Sequence, residues 1–579
     1  MRMCKRWSLL MMTGYGLTPS LTNRATASVD LEYVLNLSST EPPAVEVSLA
    51  CLGSPAGTTT FAVSPEWGGV RDAGKGIFDV SVRSAQGAEL AVEHPADHQW
   101  AVRHEPSQAL RLTCTLRERA NRPVHGDGND YRIQLRDKLF FMIGNIGLPA
   151  PEHFEGETPR SIRLEWRGFH DAGWKTVSSF ANGSTPIQVN MPVDRFRHSL
   201  FVAGEFRLHE VPIDAGQPAG ESSTPNKLGI VLVGPRFRFS DGQFVRLASK
   251  IVAAEREFFR PVNDPWYLIS VMPTGGDDPN TLSIGGTGLT HAFALWVSRG
   301  ATLERGSPSE RPMKRLLAHE YFHRWNGGEL EFAQPEQQLY WFSEGFTDFY
   351  ARRILLRAEL YSPEEFATDL NESLRNYFNS PVRQAPNERI VRDFWSHAAV
   401  RDLPYRRGDL LALAIDDRIR GMSGGTRSLD DLMRGIIRTG RSAGEWTLEA
   451  LLQRILMATD ADFAAVVERC ILLGEDVPLP SRIVEPRLRI RRDHGRIFDL
   501  GFDESASQSS GMISGVVEGS RAHDAGLRNG QKLRGWSYNR DEIDRPVELT
   551  VEQDGKEQKL RYVPAGAEVS IPKYEPDDS

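Results

Sequence analysis

Cysteine is scarce in this chain: four residues among 579, with no CxxC pair. That argues against cysteine-ligated zinc and dithiol redox chemistry. Cys4 lies at the very start. Cys51 and Cys114 share a β-rich region and could pair in an oxidising compartment, a pairing that sequence does not decide; Cys470 would be left over. Long apolar runs are absent too. No stretch reaches the roughly 18 apolar residues that a membrane-spanning helix needs, so no transmembrane segment is expected. Long Lys/Arg runs are also missing, and the formal net charge is −8. An acidic chain without a basic stripe repels phosphate, which excludes a nucleic-acid partner. No long internal repeat is visible.

What is present is length. At about 100–200 residues per domain, the chain predicts three or four domains. Arg2, Lys5 and Arg6, the apolar stretch Trp7 to Leu17 and the small residues Ala25 to Ala27 read as a signal peptide over 1–27. The expected destination is the periplasm or the medium; if the segment is not a signal, the protein is cytoplasmic.

From residue 28 to 214 the texture is β. "AVEVSLACL" and "LRLTCTLRE" alternate apolar and polar residues between Gly, Pro and Asp. This predicts a β-sandwich or saddle-like domain. "AGQPAGESSTPN", residues 215 to 226, reads as a linker or long loop. Over 225–480 the period changes. Strand patterns at "KLGIVLVGP" and "WYLISVMP" flank a helical pattern over 242–259. Helices are then predicted over 312–327, 341–358, 362–379, 406–421, 428–439, 447–458 and 460–472. This is an α+β core with a helical extension. Residues 486–566 turn β-rich again, 567–579 form a tail, and its end, "PKYEPDDS" (572–579), reads as disordered.

The chemistry concentrates in "LLAHEYFHRWNGGEL", residues 316 to 330. His319 and His323 are four positions apart, so a helix sets both imidazoles on one face. Glu320 follows the first histidine and reaches a metal-bound water. Catalytic zinc takes nitrogen or oxygen ligands and keeps a position open. In "LYWFSEGFTDFYARRILL", Glu344 lies 21 positions after His323 and supplies a third ligand. Asp348 is one turn further on the same face and can accept the free N–H of a ligating histidine, His319. Acids within an otherwise apolar stripe are costly unless paired or coordinated. The bland alternative, two surface histidines beside an unrelated acid, does not account for them. A zinc so held lowers the pKa of its water towards about 7 and polarises a carbonyl. Glu320 takes the water's proton and delivers it to the leaving amine. The developing oxyanion needs a further donor. Tyr405, in "LPYRRGDLLALAIDDRIR" just before a predicted helix, is the candidate; otherwise it is an ordinary amphipathic tyrosine.

These residues resemble a known family. "HEYFHRWNGGEL", "WFSEGFTDFYA", "YRRGDLLALAIDDRIR", "SLDDLMRGI" and "SPEWGG" (Ser64 to Gly69) look like the glycyl aminopeptidase family of metallopeptidases, in the family's order. The resemblance implies a gluzincin: an N-terminal β-domain, a thermolysin-like zinc peptidase domain with a helical region, and a C-terminal PDZ domain. It implies His319, His323 and Glu344 as ligands of one zinc, Glu320 as general base and acid, and Tyr405 as transition-state donor. Where the family's tyrosine precedes x-Lys-Gly, this chain has Arg406-Arg407-Gly408.

A second departure bears on specificity. The family's cleft strand carries Gly-Gly-Leu-Glu-His, and its glutamate is expected to bind the substrate's free amine. Here the stretch is "SIGGTGLTHAFALWVS", with Thr290 in the glutamate's place. Gly285, Gly286 and Gly288 still allow close approach of a peptide backbone, but a hydroxyl offers only a neutral hydrogen bond. The expectation is a peptidase with weakened or altered aminopeptidase specificity, extending to cleavage within chains. A strong preference for free amines would instead assign the anchor to another acid, such as Glu329 or Glu331.

At the C-terminus, "IFDLGFDESASQSSGMISGVVEGSRAHDAGLRNGQKL" resembles a PDZ domain. Leu500, Gly501 and Phe502 would form its carboxylate-binding loop, and the next strand edge would accept a peptide or chain terminus. Gln531 replaces the usual aspartate. The competing class is a non-catalytic polypeptide-binding protein that uses this edge and a degenerate cleft.

Overall fold

In the computed structural model of the chain, the described residues are 29–577 apart from 69, 71, 119–130, 137, 214–225, 263, 280–281 and 539–542. The signal expected over 1–27, and all but the last residue of the loop expected at 215–226, lie outside them. Alternation sets the first region. Leu31, Tyr33 and Leu35 on the strand Leu31–Thr40, and Val45, Val47 and Leu49 on Pro43–Leu52, are fully buried at every second position. These strands belong to a seven-stranded sheet, accompanied by two four-stranded sheets. Their shared core takes in Val231, Leu268 and Trp296 of a separate five-stranded sheet. The β-region therefore packs directly on that sheet.

Cys51 and Cys114 do not pair; both are free and buried. Cys51 stands opposite Leu110, and Cys114 opposite Val47, on neighbouring strands. Four residues of displacement is about 13 Å, well beyond the roughly 7 Å that a disulfide spans. Burial pushes the Cys51 thiol up to about 12.

The five-stranded sheet has the order Phe206–Ile213, Asn226–Val233, Trp266–Thr274, Ala292–Ser298, Ile284–Leu289. Phe206–Ile213 runs antiparallel to Asn226–Val233, from Phe206 opposite Val233 to Ile213 opposite Asn226. The boundary expected between 214 and 225 thus joins two strands of one sheet. Strands on either side share one period, so alternation alone did not separate them. Ile284–Leu289 forms the far edge, paired on one side only.

Helix Asp241–Phe258 starts at a capping box, with Ser240 Oγ accepting from Gln243 N at 3.2 Å. Such a cap contributes about 1 kcal/mol. Phe244, Leu247, Ala248, Ile251 and Val252 face the sheet at helical spacing. Helices Pro363–Asn379, Leu429–Thr439, Leu448–Ala458 and Ala461–Leu472 follow the sequence pattern. Ala398–Ser423 begins earlier than the expected 406. Pro404, a residue that usually opens a helix or breaks one, sits within it.

At the C-terminus, Leu488–Phe498 pairs antiparallel with Ala565–Pro576, and a separate sheet holds Lys532–Ser537, Val547–Gln553 and Lys556–Tyr562. The end of the tail, expected to be disordered from 572, is strand up to Pro576. Two anchors explain this. Asn371 receives Tyr574 N at 2.7 Å and donates to Tyr574 O at 2.8 Å. Tyr574 is buried, and its hydroxyl donates to Pro480 O at 2.6 Å. The whole is a multidomain mixed α/β chain.

Candidate active site

The helix Glu310–Phe322 buries Met313, Leu317, Ala318, Tyr321 and Phe322, which turns His319 and Glu320 towards the sheet edge. The helix was expected to run to 327. It closes at Phe322, with His323 as its cap, still helical in conformation, and the chain turns away at Gly327 (φ +124). Asn326, which the sequence reading missed, fixes this turn. Its Nδ2 donates to Phe342 O, Ser343 O and Thr347 Oγ1 at 3.0–3.1 Å. That ties the end of the first helix to the turn presenting Glu344. Glu344 itself sits between Tyr340–Ser343 and Gly345–Arg357, with backbone hydrogen bonds continuing through it.

The three expected ligands converge. His319 Nε2 and His323 Nε2 are 3.0 Å apart, and Glu344 Oε2 lies 3.2 and 3.3 Å from them. Ligands at about 2.05 Å around a tetrahedral zinc stand about 3.3 Å from one another. The donor set, two imidazoles and a carboxylate, suits zinc. The outer nitrogens are engaged as well: His319 Nδ1 with Asp348 Oδ1 at 3.0 Å, and His323 Nδ1 with Asn326 O at 3.0 Å. These contacts direct both Nε2 lone pairs inward. Asp348 is held in turn by Arg315 at 2.9 Å, and Arg315 also pairs with Asp369 at 2.7 Å.

Burial pushes the Glu344 carboxyl up, but the two imidazoles outweigh it and hold it well below the usual range. Asp348 shows the same balance, with burial opposed chiefly by Arg315. Burial raises Glu320, opposed by both histidines. A basicity above that of an ordinary glutamate suits a proton acceptor.

His319, Glu320, His323 and Glu344 line a cavity of about 720 Å³. Gly286, Gly288 and Thr290 line it along the edge strand, with Gly285 in the same strand beside them. A Cβ at Gly286 would stand 2.9 Å from the Glu320 carboxyl carbon, so glycine lets the strand lie against the carboxyl without displacing it. The N-terminal region closes this wall. Tyr131 donates to Gly286 O at 3.2 Å, and Trp67 of the "SPEWGG" stretch packs edge-on against Tyr131 at 5.4 Å. Thr290 is buried, and its hydroxyl donates to Arg195 O at 2.8 Å. Of the acids considered as alternatives, Glu331 lines the cavity, while Glu329 pairs with Arg324.

Tyr405 lies inside the helix Ala398–Ser423 rather than ahead of it, and its ring stacks on His319 at 6.2 Å. Two glycines bring it there. A Cβ at Gly408 would stand 1.8 Å from Trp341 O, and one at Gly345 2.3 Å from Gly408 Cα, so these two helices cross backbone to backbone. Burial, with Glu344 next, raises the Tyr405 phenol far above its ordinary value and keeps it a donor. A second recess, of about 390 Å³, opens on the far side of His319, Glu320 and Tyr405, beside Ile284 at the start of the edge strand. His319, Glu320 and Tyr405 therefore stand between two spaces along one strand.

The C-terminal loop departs from expectation. The Gly501 N–H donates to Asp499 Oδ1 at 2.8 Å, so a carboxylate of the chain already occupies it. The segment after Phe502, expected as a strand edge, is the helix Glu504–Ser510. Leu500 and Phe502 instead line a cavity of about 590 Å³ shared with Tyr377 and Leu403 of the helical region.

Residues 313–399 match the profile of the family described as M61 glycyl aminopeptidase. No curated protein matches the chain. Among solved structures, an aminopeptidase N family protein from Idiomarina loihiensis is similar over 94% of this chain and 98% of that one, with a TM-score of 0.71 at 15% identity. A mutant M1 zinc metallopeptidase from Deinococcus radiodurans bound to a Tyr-Ser-Ala substrate is similar over 78% of this chain and 95% of that one, with a TM-score of 0.50 at 15% identity. At such identity the likeness is one of fold.

Proposed function

We propose, from a chain whose residues 313–399 match the M61 glycyl aminopeptidase family, a zinc-dependent metallopeptidase of aminopeptidase type with altered recognition of the substrate's N-terminal amine. The observation that carries it is the convergence of His319, His323 and Glu344 within 4.8 Å of one another, at the wall of a cavity that Glu320 and Tyr405 also line. A zinc ion bound by these three residues supplies Lewis acidity towards a water and a peptide carbonyl. The chain's own residues do the rest. Glu320 accepts the proton of the attacking water and returns it to the leaving nitrogen. The Tyr405 hydroxyl donates to the oxygen that becomes negative in the tetrahedral intermediate. Asp348 fixes the His319 tautomer. The edge strand, with Gly285, Gly286 and Gly288, pairs with the backbone of an extended peptide.

Altered amine recognition rests on Thr290, which has no charge and whose hydroxyl is bonded to Arg195 O. We divide the chain into an N-terminal β-domain, a gluzincin-like catalytic domain that begins at the strand Phe206–Ile213, and a PDZ-like C-terminal domain from about 486. With the Gly501 N–H engaged and a helix in place of the strand edge, we assign the last domain to packing rather than to peptide capture. The test is a peptide-library digest of the metal-loaded protein read by mass spectrometry. Cleavage that a chelator abolishes and added zinc restores is expected. Zinc-loaded protein that cuts no peptide contradicts the proposal and favours a binding protein.

A further inference from the structure

Glu336 was not singled out by the motifs, and the residues described above give it no task. It lines the same cavity as His319, Glu320, His323 and Glu344. Its carboxyl lies near enough to Glu344 and His323 for their charges to act on it. Among the described residues, its side chain has no hydrogen bond or ion pair. The other cavity acids are committed. Glu320 and Glu344 belong to the reaction centre, Asp194 pairs with Arg197 at 2.9 Å, and Glu157 and Glu331 have partners of their own. The cavity cations do not answer Glu336 either. Arg324 is held by Asp264 at 3.1 Å, Arg195 has its own partner, and Arg401 stands exposed with no ion pair to Glu336.

Aromatic rings stand on the same wall. Tyr340 and Phe394 meet at 4.7 Å, and Phe394 meets Trp395 at 4.9 Å; all three line the cavity, and Trp395 is 54% exposed. A lone carboxylate next to ring faces, in a space partly shielded from water, is a site for a cation. Burial of Glu336, with Glu344 next, raises its carboxyl above the ordinary value. An arriving positive charge reverses that penalty.

We infer that Glu336 is the specificity-determining carboxylate of this cleft, receiving a positively charged nitrogen of the residue on the N-terminal side of the cleaved bond. That nitrogen is either the free α-ammonium or a lysine or arginine side chain; both present the same chemistry. The inference rests on the peptidase reading of the cavity and names the acid that takes over where Thr290 carries no charge.

The test uses the full-length, zinc-loaded protein and its Glu336→Gln variant, which keeps size and shape. Four peptides differ at the residue before the cut: leucine or lysine, each with a free or an acetylated N-terminus. The variant is expected to lose roughly tenfold or more in kcat/KM on the charged peptides, mainly through KM. The acetylated leucine peptide should change by less than about twofold. A loss confined to the two free termini assigns the α-ammonium, and one confined to the two lysines assigns the side chain. An equal change on all four peptides, or none, overturns the inference. Calorimetric binding of the same peptides to Glu320→Gln, with and without Glu336→Gln, gives the answer without turnover. Charge-selective binding that depends on Glu336, in a wild-type protein that hydrolyses nothing, would sink the peptidase reading and leave Glu336 only as the cleft's cation-binding carboxylate. Binding indifferent to charge would sink this one alone.

Discussion

Replacing Gly286 with alanine tests the reaction centre through a residue that carries no chemistry of its own. The added Cβ would lie 2.9 Å from Cγ, Cδ and Oε1 of Glu320, whereas ordinary contact begins at 3.4 Å. The carboxylate must therefore withdraw by at least 0.5 Å (3.4 − 2.9). A displacement of about 1 Å at a reacting group costs on the order of a hundredfold in rate. A shift of half that size or more predicts a loss of about 10–100-fold in kcat, or about 1.4–2.7 kcal/mol. Little else should change. Gly286 does not have a left-handed φ, so alanine is tolerated there, and fewer unfolded conformations offset any local strain. The metal donors are untouched, so zinc content should stay at one per chain. The assay is steady-state hydrolysis of one good peptide, with zinc measured on the same sample and Tm by scanning calorimetry. Activity within about twofold of wild type would refute Glu320 as the proton carrier, because its carboxyl cannot stay where it is beside that methyl group.

Asp348→Asn should weaken zinc binding by roughly 10–100-fold in a competition titration with a chelating dye, because the hydrogen bond to His319 Nδ1 loses its charge. Tyr405→Phe should lower kcat by on the order of 10²–10³ with little change in KM; a change in KM alone would remove it as transition-state donor. Asp264 should govern acid stability. It is buried, and although burial pushes it up, Arg324 and His291 hold it at about 2, against 3.8 unperturbed. Its folded value is depressed, so its contribution is complete above the unfolded value and fades as pH falls from about 4 towards 2; that contribution is on the order of 2 kcal/mol. In urea unfolding, Asp264→Asn should be destabilised by about 3–5 kcal/mol near neutrality, and its gap to wild type should narrow in acid. A gap that does not depend on pH would refute the assignment.

Periodicity and spacing made much of this legible in the sequence. His319 and His323 at helical spacing, Glu344 on the next helix and Asp348 one turn on are set by local geometry, and the structure brings the four together. Non-local facts were not legible. Cys51 and Cys114 lie on adjacent strands, but register, which no local pattern states, keeps them apart. Phe206–Ile213 joins the five-stranded sheet through a pairing that alternation cannot assign. The tail is ordered by Asn371, some two hundred positions away. Asn326 was the nearest miss: the "WN" after His323 is visible, but its partners on the Glu344 turn are not. At the C-terminus, "LGF" matched a motif whose N–H groups must be free, and Asp499, two positions before Gly501, already occupies one of them.

The most direct test is a comparison of wild type with Glu320→Gln, measuring zinc per chain and peptide hydrolysis on the same preparations. Glu320 is not among the converging donors, which are His319, His323 and Glu344. Both proteins should therefore hold about one zinc, as expected of a three-ligand catalytic site. Only the wild type should cut peptides, with a loss in the variant of at least about 10²–10⁴-fold, the range of general acid–base catalysis. Undiminished hydrolysis by Glu320→Gln, or a wild-type protein that binds no zinc, would contradict the account.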